Sequence, residues 1–399
     1  MFRLIENANS SLKVACVLSA TALSVPTMAG AQEVTLQTRD GNTVSGQLIE
    51  FADNIYVIDS VLGRLNVQAD QVECIGAACP SLAASGPVVW DVSLWGTRRA
   101  FTEHLEKLAE LVDAKTDGDF TLNLTYGGLA EPSDNLEGIA AGSFEMAQFC
   151  AGYHPEKNPA LNVLELPFLG VQTLEQELAV SWAVYGHPAT QADMARYNAT
   201  ILMPTPLPQQ NIMGTGQPPT SLVDFQTMAI RATGGIGDAV AALGAEPVSL
   251  PAAEAAEAMA SGDLRAVSFA PHAHVAFGTI ENGSWWTTNL NPGTVNCPVV
   301  MHTPALDSLS DKHRDALLSS VDESLDHFVD YYNDVTLEGW SPALEERGII
   351  QLTFGPDILA TINSAVAAPS AANWIIQNTI DGLPAEELYA LVRETLAEF

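Results

Sequence analysis

DFQTMAIRATGGIGDAVAALGAEPVSLPAAEAAEAMASGDLRAVSFAP, residues 224–271, is the stretch whose periodicity decides the fold. It predicts a strand over Thr227–Ala232, a glycine-rich turn and a helix over Ile236–Leu243. An extended segment over Glu246–Leu250, a helix over Ala252–Ala260 and a strand over Arg265–Ala270 follow. Strands alternating with helices indicate an α/β sheet. Arg231 closes the first strand, among Met228, Ile230 and Ala232. Strand-end arginines are usually exposed. These neighbours instead suit a buried sheet, whose strand ends border a ligand crevice. A guanidinium there presents a planar fork that fits a carboxylate. GGIGDA is an incomplete dinucleotide fingerprint, because Val240 stands at the third glycine position. It reads as a tight turn whose helix start adds partial positive charge.

The same alternation begins at Val88. A buried strand opens with VVWDVSLW, a helix runs to Lys115, and strands follow over Phe120–Tyr126 and Phe144–Cys150. That order predicts a parallel sheet. Thr173 to Gln176 has capping-box spacing ahead of a helix through Gly186. Ser310 is a cap for a long amphipathic helix with Leu317, Val321, Leu325, Phe328 and Tyr332 on one side, disturbed near Pro342. Residues 33–75 differ: short β-runs are punctuated by Asp40-Gly41, Asp53-Asn54 and Leu62-Gly63, with no helical period. They read as a small SH3-like or Sm-like all-β module, suited to self-association or partner contact.

Composition narrows function. The chain has 399 residues, 48 acidic against 16 basic, and a formal charge of −32. That excludes nucleic-acid partners, which need a basic face, and disfavours anionic membranes. An anionic ligand would need a local cation to overcome the field. Arg3 and Lys13 flank an apolar run over Val14–Val25, and Ala29-Gly30-Ala31 fits a cleavage site, so 1–31 reads as an export signal. Cys74 and Cys79, in CIGAAC, suit a small-loop disulfide. Cys150 and Cys297 read equally as a pair or as buried thiols. No nucleophile elbow, zincin helix or Cys/His signature is present. PHAH, with His272 and His274, lacks supporting carboxylates for a metal and reads as polar residues at a helix start.

Taken together, IRATGG, LGAEPVSLPAAEAAEAMASGDLRAVSFAP, LPFLG (Leu166–Gly170) and LDSLSDKHRDAL (Leu306–Leu317) resemble the periplasmic solute-binding proteins of tripartite ATP-independent (TRAP) transporters, from Val88 to Phe399. The resemblance implies a two-lobed α/β fold like the type II periplasmic binding proteins, with a long hinge-spanning helix. The expected layout is 1–31 leader, 32–80 β-module, 81–87 linker, 88–207 with 297–336 as the first lobe, and 208–296 with 337–399 as the second. It also implies a periplasmic receptor, not an enzyme, that captures a small organic carboxylate on Arg231 and hands it to TRAP membrane subunits. Where many relatives carry a second arginine, this chain has Asn211, which disfavours dicarboxylates and favours a monocarboxylate or a 2-oxo or 2-hydroxy acid. The 2-oxo-acid branch has a Glu-Trp pair where Ser268 and Phe269 stand here, so no metal and no cofactor are expected. Trp95, Tyr153 and Phe269 follow or end strands and join the candidate ligand residues. Trp286 joins them because adjacent tryptophans cannot easily share one core. A homodimer stays open. Two rival readings also stay open: a secreted bilobal enzyme acting on a carboxylate, and an interaction protein led by the β-module.

Overall fold

The computed structural model describes residues 33–38, 41–52, 55–76, 79 and 87–399. The expected export signal and most of the expected linker lie outside them. The chain divides into two compact units, Met1–Leu82 and Ala83–Phe399.

The first unit is a five-stranded antiparallel sheet of Glu33–Thr38, Thr43–Ala52, Ile55–Ser60, Gly63–Gln68 and Val72–Ile75. In that numbering its order is 4-3-2-1-5. Alternating residues Val34, Leu36, Tyr56 and Ile58 turn inward and form its core. Gly63 takes φ +98° at the tip of the hairpin between the third and fourth strands, a conformation glycine adopts without a Cβ clash. Cys74 and Cys79 are joined by a disulfide.

The second unit carries two mixed sheets, one per lobe. The first has the order Phe120–Tyr126, Val88–Leu94, Met146–Gln148, Val299–His302, Ala199–Met203. Its first three strands are parallel, as expected; Val299–His302 runs antiparallel to both its neighbours, so Ala199–Met203 runs in the direction of the first three. The second sheet follows the order Glu246–Val248, Ala229–Arg231, Ala266–Phe269, Asn211–Gly214, Trp285–Thr287, Ile350–Leu352. Again a parallel trio adjoins a strand that has just crossed from the other lobe. Both trios aim their carboxyl ends toward the crossings, the place where α/β sheets bind ligands.

The helix expected from Ser310 is segmented. Ser310 does cap Asp311–Leu318, its side chain accepting from the His313 N–H. A second helix, Val321–Tyr331, passes through a π turn at Tyr332–Leu337 into Glu338–Glu346, which accommodates Pro342. The apolar side is as expected: Leu317, Val321, Leu325, Phe328 and Tyr332 are all buried. The C-terminal part corrects the expected layout. Helix Pro356–Ile380 packs Ile362 and Val366 into the second-lobe core. It then delivers Ala371 to the first-lobe core, where Leu388 and Val392 of helix Ala385–Leu396 are also buried. Arg393 reinforces this by donating to the Leu169 carbonyl at 2.6 Å. Ala371, Leu388 and Val392 therefore pack with the first lobe, although the sequence reading assigned 337–399 to the second.

Candidate functional site

Strand Ala229–Arg231 is paired on both sides, so its last residue is held at the sheet's carboxyl edge. Arg231 is 3% exposed. Its Nε donates to the Leu250 carbonyl at 3.2 Å and its Nη2 reaches the Tyr153 hydroxyl at 3.5 Å. The guanidinium carbon lies 4.6 Å from the centre of the Phe269 ring. Nη1 makes no hydrogen bond, and no ion pair involves Arg231 among the described residues. Burial lowers its pKa, while the Tyr153 oxygen acts the other way. Tyr153 ends the short turn Ala151–Tyr153 that follows the first-lobe strand Met146–Gln148. The Arg231–Tyr153 contact thus joins the lobes.

Between them is a cavity of about 50 Å³. Trp95, Phe101, Tyr153, Phe269 and Phe277 supply most of its rings, with Arg231 at one wall. Cys150 and Cys297 line it as a disulfide, which settles the choice left open by sequence. Gln210 and His272 add polar groups, and no carboxylate faces the space. Behind the aromatic wall is a second buried cation. Arg99 has its guanidinium carbon 4.4 Å from the Trp95 ring centre, 4.6 Å from Phe101 and 5.3 Å from Phe277. Nη1 donates to the carbonyls of Trp95 and Thr97, while Nε and Nη2 have no partner. Burial pulls the Arg99 pKa down to about 10, so it remains a cation at neutral pH. Two guanidiniums without an ion pair among the described residues make the cavity a local attractor for anions in an acidic molecule.

On the other side of the Ala151–Tyr153 turn, the polarity is reversed. Glu165 is buried; its Oε1 accepts from the N–H groups of Gly152 at 3.1 Å and Asn296 at 2.9 Å. Its carboxyl and carbonyl press against Gly234 and Gly235 at the start of helix Gly234–Ala242, where a Cβ would have no room. Desolvation raises Glu165 to about 7, against those backbone donors. Glu177 nearby is raised to about 8, by desolvation first and by Glu165 second.

Four of the expected ligand residues, Trp95, Tyr153, Arg231 and Phe269, come together on the cavity. Asn211 does not. Its Oδ1 accepts from the Thr287 hydroxyl and the N–H groups of Leu290 and Asn291, and its Nδ2 donates to Asn291. It is spent on shaping the 287–291 turn. Trp286 is also elsewhere, packed edge-on against Trp340 and His274 with ring centres 5.1 Å away. Trp285 fills the opposite face of the sheet against Phe225. Both faces are covered, so each tryptophan has its own core and neither lines the cleft. His272 and His274 stand in the short helix Pro271–Ala276, as the sequence suggested, and both are buried. Sequence reasoning missed Arg99, Gln210 and His272. The available signal for Arg99 was its place in GTRRAF, straight after the first strand.

The family model for bacterial extracellular solute-binding proteins, family 7, matches residues 93–372. Among solved structures, a marine metagenome TRAP solute-binding protein from an unidentified microbe, specific for aromatic acids and complexed with metahydroxyphenylacetate, superposes with a TM-score of 0.71. The identity is 18%, over 78% of this chain and 99% of that one. An extracytoplasmic solute receptor of Bordetella pertussis that binds pyroglutamic acid gives 0.68 at 17% identity, over 77% and 99%. A TRAP periplasmic solute-binding protein of Roseobacter denitrificans with bound β-D-glucuronate gives 0.66 at 21%, over 76% and 99%. At these identities the structures establish the shared fold. The family match spans most of the chain, which belongs to the bacterial extracellular solute-binding proteins of family 7: solute receptors, not enzymes.

Proposed function

We propose that this family 7 receptor captures a small organic monocarboxylate between its lobes, with the carboxylate paired to Arg231. The observation that carries the reading is a guanidinium 3% exposed and without an acid partner, in a chain with three acidic residues for each basic one. A buried charge without a partner is costly; a ligand carboxylate supplies the partner, and a dry cleft strengthens the pair. Nη1 is free to donate, and the rings of Trp95, Phe269 and Phe277 suit the ligand's carbon skeleton. The organic acids named for the matched structures are of the same chemical kind. Delivery to TRAP membrane subunits in the periplasm follows from this role.

Calorimetry of the mature chain and Arg231→Gln against a panel of mono- and dicarboxylates tests the proposal. At least one monocarboxylate should bind the wild type, and its binding should vanish in the variant. Equal affinity of both proteins for that acid would refute the pairing.

A further inference from the structure

We propose that His272 is the second polar anchor of the site, its Nε2–H donating to an oxo or hydroxyl oxygen that the ligand carries besides its carboxylate. This rests on the carboxylate reading above and narrows it to oxygen-substituted acids.

His272 is the second residue of helix Pro271–Ala276, so its backbone lies at the second-lobe rim of the cavity. The ring is clamped. It stacks on Phe101 of the first lobe, with centres 5.6 Å apart and planes 11° from parallel. Its Nδ1 lies 2.5 Å from the Tyr332 oxygen on the connecting helix. We assign the phenol as the donor in this contact and Nδ1 as its acceptor. An imidazole that accepts at Nδ1 carries its own hydrogen on Nε2.

Nε2 makes no hydrogen bond among the described residues. The nearby His274 Nε2 is unpartnered too, but it is sealed off from any space. His272 lines the interlobe cavity and also borders a second pocket beside Arg99, Tyr331 and Trp340; the proposed donor faces the first. Burial first, and then Arg99 and His274, hold the ring neutral. It is therefore a fixed donor. A ligand with a carboxylate alone would leave that donor unmatched as the lobes close, whereas one with a second oxygen satisfies it. Sites built to donate to a substrate oxygen discriminate strongly against analogues that lack it.

Calorimetry with matched probes tests this: propionate against lactate and pyruvate, and benzoate against 3-hydroxybenzoate. The two sets separate small aliphatic from aromatic skeletons. The wild type should bind the oxygenated member of at least one set about 10-fold tighter or more. His272→Phe should bring that ratio to within about 3-fold, chiefly by weakening the oxygenated acid, with the unsubstituted acid held as well or better once the unmatched donor is gone. Tyr332→Phe, which releases Nδ1 without removing the imidazole, should reduce the same ratio and keeps the test alive if the first variant does not fold. No discrimination by the wild type in either set, or a ratio unchanged in His272→Phe or, failing that, in Tyr332→Phe, overturns the proposal. Failure of the underlying reading looks different: Arg231→Gln would bind both members of a set as the wild type does.

Discussion

Arg231 and Glu165 are both buried at the junction of the lobes, both border the Ala151–Tyr153 turn, and neither has an ion pair among the described residues. Their responses to that isolation differ. A guanidinium cannot lose its proton in a protein, so the Arg231 charge persists until an anion arrives. A carboxyl can take up a proton, and burial favours that form in Glu165 and Glu177, whose pKa values are raised to about 7 and 8. An unpartnered charge is thus an open binding function in one place and a stored proton in the other.

The comparison is broken most directly at its cationic side. Arg231→Gln should weaken the cognate acid by at least about 100-fold, or roughly 3 kcal/mol, in line with breaking a buried pair. In the unliganded protein the same change should leave the melting temperature level or raise it, because it removes a charge with no partner. A fall of several degrees without ligand would mean that Arg231 is instead a structural residue.

The acidic side should respond to pH. Both carboxyls have folded pKa values above the unfolded value, which lies near 4.3. The unfolded chain therefore gives up these protons first as pH rises. The stabilisation is complete at about pH 4 and is lost as pH climbs toward 7 for Glu165 and 8 for Glu177. Denaturant melts across that window should show declining stability. Glu177→Gln should flatten the decline, gaining on the order of 4 kcal/mol relative to wild type at pH 8. An unchanged slope would place the proton elsewhere.

Smaller effects sharpen the contrast. Tyr153→Phe removes the hydroxyl that touches Arg231 and should cost about 1 kcal/mol of ligand affinity by calorimetry. Trp286→Phe should leave affinity within about 2-fold and lower only stability, since the ring packs on Trp340 outside the cavity. A large affinity loss there would return Trp286 to the site.

What sequence could reveal follows from the range of the interactions. Arg231 was legible because its strand, turn and helix are contiguous and each has a local pattern. Trp95, Tyr153 and Phe269 were legible because they follow or end strands. Gln210 and Asn211 show the limit: adjacent residues near a strand end face opposite ways, and a shift of one place exchanges them. Gln210 meets the cavity, and Asn211 builds a turn. Arg99 and His272 acquire meaning only when the lobes meet, and no local period encodes that. The C-terminal helices were misplaced for a related reason. Helix Pro356–Ile380 buries apolar residues in both lobes, and a single amphipathic stripe does not say how many bodies it touches.

The link between Cys150 and Cys297 holds two α-carbons 3.9 Å apart across 147 positions of chain. It turns that span into a covalent ring from which the whole 208–296 segment hangs. If this segment loses its order, its far root stays tied through Cys297 while its near root stays packed at Leu207 in the same cluster, beside the chamber they frame. Its return is then the closing of a loop on a fixed base, not the recapture of a wandering arm.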